Sequence, residues 1–375
     1  KDMFAHSFIN GNQAATYLPF VISLGSIGTG LALSFGGSSV IAGIMTLGTL
    51  VTFMAYTNSL HDPILELARN LTELQTATAA AERVFSLVNA SPEITDSEAV
   101  NQKIALTGKR IKGVPYDGGR QRISTIELKD VSFEYTTDHP IIQDVNLKIQ
   151  SGSSIALVGP TGGGKSTLVN LICRFYEPTS GQILLNDEDY RERGLLWYQS
   201  NLGIVLQTPF LFSGTIADNI RYGNLDATDD LIISAAKAVN AHSFITELPE
   251  GYQTLVGQEG KNLSTGQKQM ISFARAILAD PAILVMDEAT SSVDTRTEKL
   301  IQDGLSKVLE GRTSFIIAHR LSTIRSADSI LFIKDGQIME MGNHAELLKL
   351  KGHYYKLCQR QISLESGYLY ETAAS

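Results

Sequence analysis

The sequence predicts an α/β fold on a mostly parallel sheet, preceded by two apolar helices. Three observations carry that expectation. Gly159–Thr167 reads Gly-Pro-Thr-Gly-Gly-Gly-Lys-Ser-Thr, and stands between an apolar run at Ser154–Val158 and helical spacing over Thr167–Phe175. From Ile126 onward short apolar runs alternate with helix-period segments, as in a sheet with crossover helices. Ahead of that region no Asp, Glu, Lys or Arg occurs between Asp2 and Asp62.

A chain of 375 residues favours two or three structural units. The formal charge of −8 argues against broad nucleic-acid binding, which needs a basic face. Cys173 and Cys358 lie far apart without metal-ligand spacing, and read as free thiols in a reducing compartment. No secretory signal is evident.

In chain order, Tyr17–Phe35 and Val40–Leu60 are apolar or small throughout. Each approaches the roughly 20 residues that cross a bilayer as a helix, so membrane helices are expected at about 15–35 and 40–62. Their Gly, Ser, Thr and Ala content suits close helix packing in lipid. The alternative is a pair of buried helices in a soluble core. Gly36-Gly37-Ser38-Ser39 is expected to turn between them, on the outer side, with both outer ends cytoplasmic. Ile64, Leu67, Leu71, Leu74, Ala81, Phe85 and Val88 continue an apolar stripe, which predicts a helical extension to about 88, with a kink at Pro63. Residues 1–90 thus form a first domain.

Residues 91–125 are polar and glycine-bearing and read as a linker, mobile in part. Lys109, Arg110, Lys112, Arg120 and Arg122 fit a solvated linker better than a lipid-headgroup contact.

Residues 126–375 form the second domain. Strands are expected at Ile126–Tyr135, Val145–Ile149, Gly203–Leu206, Ala282–Met286, Ser314–Ala318 and Ile330–Ile333. Helices are expected at Asp229–Val239, Thr265–Leu278, Glu298–Leu309 and Ala345–Gln361. The first two strands predict an antiparallel portion, and Gly181–Leu185 together with Thr208–Asn240 a helical insertion.

The glycine-rich loop carries the chemistry. Gly159, Pro160, Thr161, Gly162, Gly163 and Gly164 form a turn whose backbone N–H groups can converge on an anion at a helix N-terminus. Lys165 can reach the β- and γ-phosphates of a nucleotide, and the Ser166 hydroxyl, followed by Thr167, suits Mg²⁺. Ile283–Glu288 is an apolar strand ending in two carboxylates. Asp287 suits the metal shell, through water, and Glu288 a water aimed at the γ-phosphate. Leu263-Ser264-Thr265-Gly266-Gln267 is a small polar loop opening a helix, which alone is more often a plain cap than an anion site.

Taken in order, Gly159–Ser166, Gln207, Ser264–Gln267, Asp287-Glu288 and His319 resemble the nucleotide-binding domain of ABC transporters over about Ile126–Gln361. The resemblance implies a P-loop NTPase fold with a mostly parallel sheet core, an antiparallel β subdomain and a helical subdomain. It implies ATP and Mg²⁺ as ligands. Tyr135 resembles the aromatic that stacks on adenine. Gln207 resembles the residue that approaches Mg²⁺ and couples to the membrane helices. Ser264, Gly266 and Gln267 would touch the γ-phosphate on a partner's ATP, and Asp294, in Ser292-Val293-Asp294, would join the two sites. His319 resembles the γ-phosphate switch histidine. Glu288, His319, Lys165 and Gln207 are the implied catalytic set, and Ser166, Gln207 and Asp287 the implied metal contacts. Gly257–Gly260 falls where the family has a cross-domain loop. Thr265 replaces the commoner glycine of the signature, which leaves homodimer and heterodimer both open.

The uncharged segments resemble the last two of six membrane helices of an exporter half-transporter, so Lys1 is expected to fall inside a membrane domain. The implied protein is a multi-pass plasma-membrane exporter with its ATPase domain in the cytoplasm. It would pair with a second half-transporter and move a drug or lipid. A peptide exporter and a non-transport ABC ATPase are the alternatives. Membrane lipid is an implied partner and nucleic acid is not.

Overall fold

The computed structural model describes residue 23 and residues 25–257, 262–287, 295–318 and 320–360. It divides into two units, Lys1–Pro92 and Glu93–Ser375.

In the first unit, residues 25–41 are helical, residues 42–46 turn, and Leu47–Val88 forms one helix of 42 residues. The Thr46 side chain accepts from the Thr49 N–H at 3.2 Å and caps that helix. Pro63 lies inside the helix without ending it. The turn sits later than the sequence predicts. Gly36 and Gly37 stay helical, and the Ser38 and Ser39 hydroxyls donate to the carbonyls of Ser34 and Phe35, which satisfies them within the helix. Gly43 instead takes the left-handed φ of +70° that reverses the chain.

Among the described residues, no helix is long and apolar enough to cross a membrane. The turn cuts the expected 40–62 stretch, and the helix that starts at Leu47 soon reaches Asn58, His61 and Asp62. Residues 15–22 and 24 of the expected 15–35 helix lie outside the described residues.

The second unit begins with structure where a linker was expected. Glu98–Thr107 is a helix capped by Ser97, and β1 (Arg110–Ile111) pairs antiparallel with β2 (Val114–Pro115). Val100, Tyr116 and Ile123 are buried, so this segment packs instead of trailing in solvent.

Next comes a four-stranded antiparallel sheet of β3 (Thr125–Glu134), β4 (Pro140–Gln150), β6 (Ser180–Leu185) and β7 (Glu188–Asp189), ordered β4-β3-β6-β7. The larger sheet is built from β5 (Ser154–Val158), β8 (Leu202–Val205), β11 (Ile283–Asp287), β12 (Thr313–Ile317), β13 (Ser329–Lys334) and β14 (Gln337–Gly342). Its order is β14-β13-β5-β12-β11-β8, and all neighbours are parallel except β13 and β14. A short pair, β9 (Gly214–Thr215) with β10 (Leu255–Val256), lies outside both sheets.

The central strands are apolar on both faces, as a covered parallel sheet requires. Alternate residues feed two cores. Ile155, Leu157, Ile283, Val285, Phe315 and Ile317 join the antiparallel sheet and the Lys165–Ile172 helix. Ala156, Val158, Leu284, Met286 and Ile316 join the helices on the other face. There Ile216–Arg221, Asp229–Ala238 and Ala241–Glu247 gather around Thr265–Ala279 through Ile220, Ile232, Ala236, Ile245 and Phe273. The C-terminal helix is broken: His344–Leu350 ends at left-handed Lys351, and helix resumes over 353–360.

Candidate nucleotide site

The parallel register gathers the site. Asp287 pairs with Ile317, Ile317 with Leu157, and Val205 with Met286. The chain therefore leaves β5, β12, β11 and β8 at one edge of the sheet. Those exits carry the glycine-rich loop, the approach to His319, Asp287 and the approach to Gln207. A crevice at the carboxyl ends of parallel strands is where α/β sheets hold ligands.

Two glycines fix the loop. Gly159 has φ +141°, and a Cβ there would press against the Ile333 carbonyl. Gly164 has φ +102° at the N-cap of the Lys165–Ile172 helix, with Ile142 and the Ile141 carbonyl alongside. Both positions need glycine sterically and conformationally. The turn after β13 braces the loop, since the Gly336 N–H donates to the Gly163 carbonyl at 3.1 Å. Sequence reasoning missed this brace because it did not read β14. The Asp335-Gly336 pair between two apolar runs is the hairpin signal that finds it.

Lys165 is buried, and its Nζ donates to the carbonyls of Gly159 at 3.0 Å and Pro160 at 2.8 Å. Burial draws its pKa below the usual lysine value, and the negative charge of Asp287 opposes that. So the β11 carboxylate and the loop ammonium share one field. Ser166 is exposed in the first helical turn and Thr167 is buried. Thr161 and Gly162 are exposed at the loop tip, and Gly163 is buried. The Ser166 hydroxyl and the Asp287 carboxylate are hard oxygen donors of the kind that suit Mg²⁺, which is held with substrate phosphates. Gln207 is exposed just beyond β8.

Tyr135 follows β3 and donates its hydroxyl to Thr167 Oγ1 at 3.3 Å. Phe133 and Tyr176 pack edge-to-face against it at 4.8 and 5.0 Å between ring centroids. The ring is thus braced beside the loop helix yet 47% exposed, which leaves surface for a planar base. Tyr176 was not anticipated as a brace; it lies too far along the chain for strand periodicity to indicate it.

Ser264 caps the Thr265–Ala279 helix in a reciprocal box. Its Oγ accepts from the Gln267 N–H at 3.2 Å, while Gln267 Oε1 accepts from the Ser264 N–H at 2.9 Å. Gly266 is buried beside it and Thr265 is exposed. Gln267 therefore has a structural bond in addition to the phosphate role expected for it. The Ser264 oxygen accepts in that box, and a hydroxyl can donate its own proton at the same time. Glu288, Asp294 and His319, with Gln258–Gly260, lie outside the described residues.

Comparison with known proteins follows the same lines. Residues 142–291 match the ABC transporter family. The chain is 43% identical over 348 residues to an uncharacterized ABC transporter ATP-binding protein of Bacillus subtilis, covering 92% of this chain and 55% of that one. It is 42% identical to an ATP-dependent lipid A-core flippase of Syntrophus aciditrophicus, over 92% and 54% of the two chains. It is 44% identical to a fatty acid ABC transporter ATP-binding/permease protein of Mycobacterium bovis, over 94% and 53%. The chain thus spans about half the length of these relatives. Among solved structures, a bacterial Atm1-family ABC exporter with ATP bound is similar at TM-score 0.66 and 32% identity, over 96% of this chain and 60% of that one.

Proposed function

We propose that the chain, whose residues 142–291 match the ABC transporter family, is the ATP-hydrolysing part of an exporter that works as a pair of such domains. One observation carries the reading. The glycine-rich loop, Asp287 and the Gln207 segment leave the same edge of one sheet, with Lys165 buried in the field of Asp287. That grouping supports phosphate binding beside a metal, which phosphoryl transfer requires.

The residues divide the work. The loop N–H groups and Lys165 bind and orient the ATP phosphates, and Tyr135 receives the adenine. Ser166 and Asp287, with Gln207, would hold Mg²⁺, which supplies charge neutralisation at the β- and γ-oxygens when bound. Glu288 orients the attacking water and takes its proton, while His319 senses the γ-phosphate. Ser264, Gly266 and Gln267 of a second copy or a related partner complete the phosphate cage, because each ATP lies between one loop and the partner's capped helix. Closure of the pair drives the membrane part. The relatives named for lipid A-core and fatty acid support an apolar or amphipathic cargo and a membrane location.

The experiment is Glu288→Gln in the purified chain. ATP binding should persist while Mg²⁺-dependent hydrolysis falls by at least ~100-fold, since general-base contributions span about 10²–10⁴. Hydrolysis at the wild-type rate would overturn the assignment.

A further inference from the structure

The segment ahead of β3 connects to both halves of the nucleotide machinery. At its base the Asp117 carboxylate binds Arg193, and the Arg193 carbonyl in turn accepts from Arg174 Nη1 at 3.0 Å. Arg174 lies just past the end of the Lys165–Ile172 helix, so the base of the segment is fixed to the phosphate-loop helix. At its tip, Lys112 occupies the β1–β2 turn with φ +50° and projects its ammonium to the carbonyl of Asp280, at 3.0 Å. Asp280 is the left-handed C-cap of the helix that Ser264 opens. Its side chain is held in addition by Arg312 Nη2 at 2.9 Å. Lys112 therefore binds a fixed acceptor at the negative end of a helix dipole, where a cation is favoured.

We propose that Lys112 is a positioning residue for the Ser264 helix. The helix Thr265–Ala279 has 15 residues, so it is a rod roughly 22 Å long, and holding its far end sets the direction in which Ser264, Gly266 and Gln267 point. Base and tip together make residues 93–124 a clamp across the phosphate-loop helix and the Ser264 helix. The five basic residues of this segment are not equivalent solvated charges: Lys112 has a fixed partner 168 positions away.

The proposal rests on the ATPase reading for its consequence, though not for its geometry, and the test separates the two. Lys112 is exposed, so Lys112→Met removes the ammonium and keeps the stem without threatening the fold. In the purified chain without nucleotide, amide exchange over residues 276–280 should rise at least ~3-fold, because a terminal bond of an exposed helix end governs local opening. With MgATP, kcat should fall about 3- to 10-fold while KM stays within about twofold, since Lys112 does not border the phosphate loop; Lys112→Arg should restore both readouts. Unchanged exchange in Lys112→Met, or a KM change equal to the kcat change, would overturn the positioning role. Altered exchange in a chain whose wild type hydrolyses no ATP would uphold the clamp and overturn the ATPase reading instead.

Discussion

Asp117 and Arg193 form an ion pair at 2.9 Å with both side chains 1% exposed. The carboxylate is fully engaged: Arg193 donates from Nε and Nη2, the Gly194 N–H donates at 2.7 Å, and the Gly119 N–H at 2.9 Å. The guanidinium lies 3.8 Å from the Trp197 ring centroid and donates a further bond to the Arg120 carbonyl. Removing one partner strands a buried charge, which costs about 3–5 kcal/mol. Asp117→Ala is expected to lose that much in urea unfolding.

The same pair sets an acid limit. Burial raises the Asp117 pKa, but the Arg193 hydrogen bond, the two backbone N–H bonds and the Arg193 charge outweigh it, and the net direction is down from 3.8. A carboxyl whose folded pKa is depressed stabilises the fold fully above its unfolded value, and the contribution is lost as pH falls through the folded one. Stability should therefore be insensitive to this group above about pH 5 and decline below the ordinary aspartate range near 3.9. The wild-type decline should be steeper than that of Asp117→Asn in acid-unfolding curves.

This pair also shows where sequence reading stops. Its partners stand 76 positions apart, and no local pattern links them. Residues 93–124 look polar and glycine-bearing, and they fold only because Val100, Tyr116, Asp117 and Ile123 find partners distant in the chain. By contrast β5, with its run Ser-Ile-Ala-Leu-Val, was legible to the residue, because apolar run, glycines and Lys-Ser are contiguous. The phosphate loop and the Ser264 helix start were legible for the same local reason. The turn near residue 43 was misplaced since a Gly-Gly-Ser-Ser string looks like a breaker, yet serine hydroxyls that bond back along the helix keep it intact.

Lys165 gives a third prediction. Its Nζ now bonds two carbonyls of its own loop, and a phosphate would compete for those protons. Charge-assisted bonds are worth about 1.5–3 kcal/mol, so Lys165→Met should weaken ATP binding by roughly 10- to 100-fold in equilibrium titration. Melting without nucleotide should shift little, because the removed ammonium was itself costly to bury. Equal affinity in the two proteins would remove Lys165 from the site.

Ser264 separates capping from catalysis. Ser264→Ala loses the Oγ acceptor for the Gln267 N–H and should cost about 1 kcal/mol of stability. Ser264→Asp retains a good capping acceptor and should melt like wild type. It also places an anion where the partner's γ-phosphate is expected, and like charges repel at that range. Hydrolysis should then fall more in Ser264→Asp than in Ala, the reverse of the stability order. Activities that follow the melting temperatures would leave the residue a helix cap alone.

Tyr135 offers a test of how the base is held. Its ring is braced by Phe133 and Tyr176, and its hydroxyl reaches Thr167 next to the loop lysine and serine. Stacking of a base on an aromatic is worth about 1–3 kcal/mol, so Tyr135→Ala should weaken ATP by roughly 5- to 100-fold. Tyr135→Phe keeps the ring and loses only the bond to Thr167, a partly buried neutral contact worth about 1 kcal/mol or less. Its affinity should stay within about fivefold of wild type. Triphosphate alone has no base to stack, so its affinity should be the same in wild type and Tyr135→Ala. If triphosphate binding falls as far as ATP binding in that variant, Tyr135 supports the loop through Thr167 and does not receive the adenine.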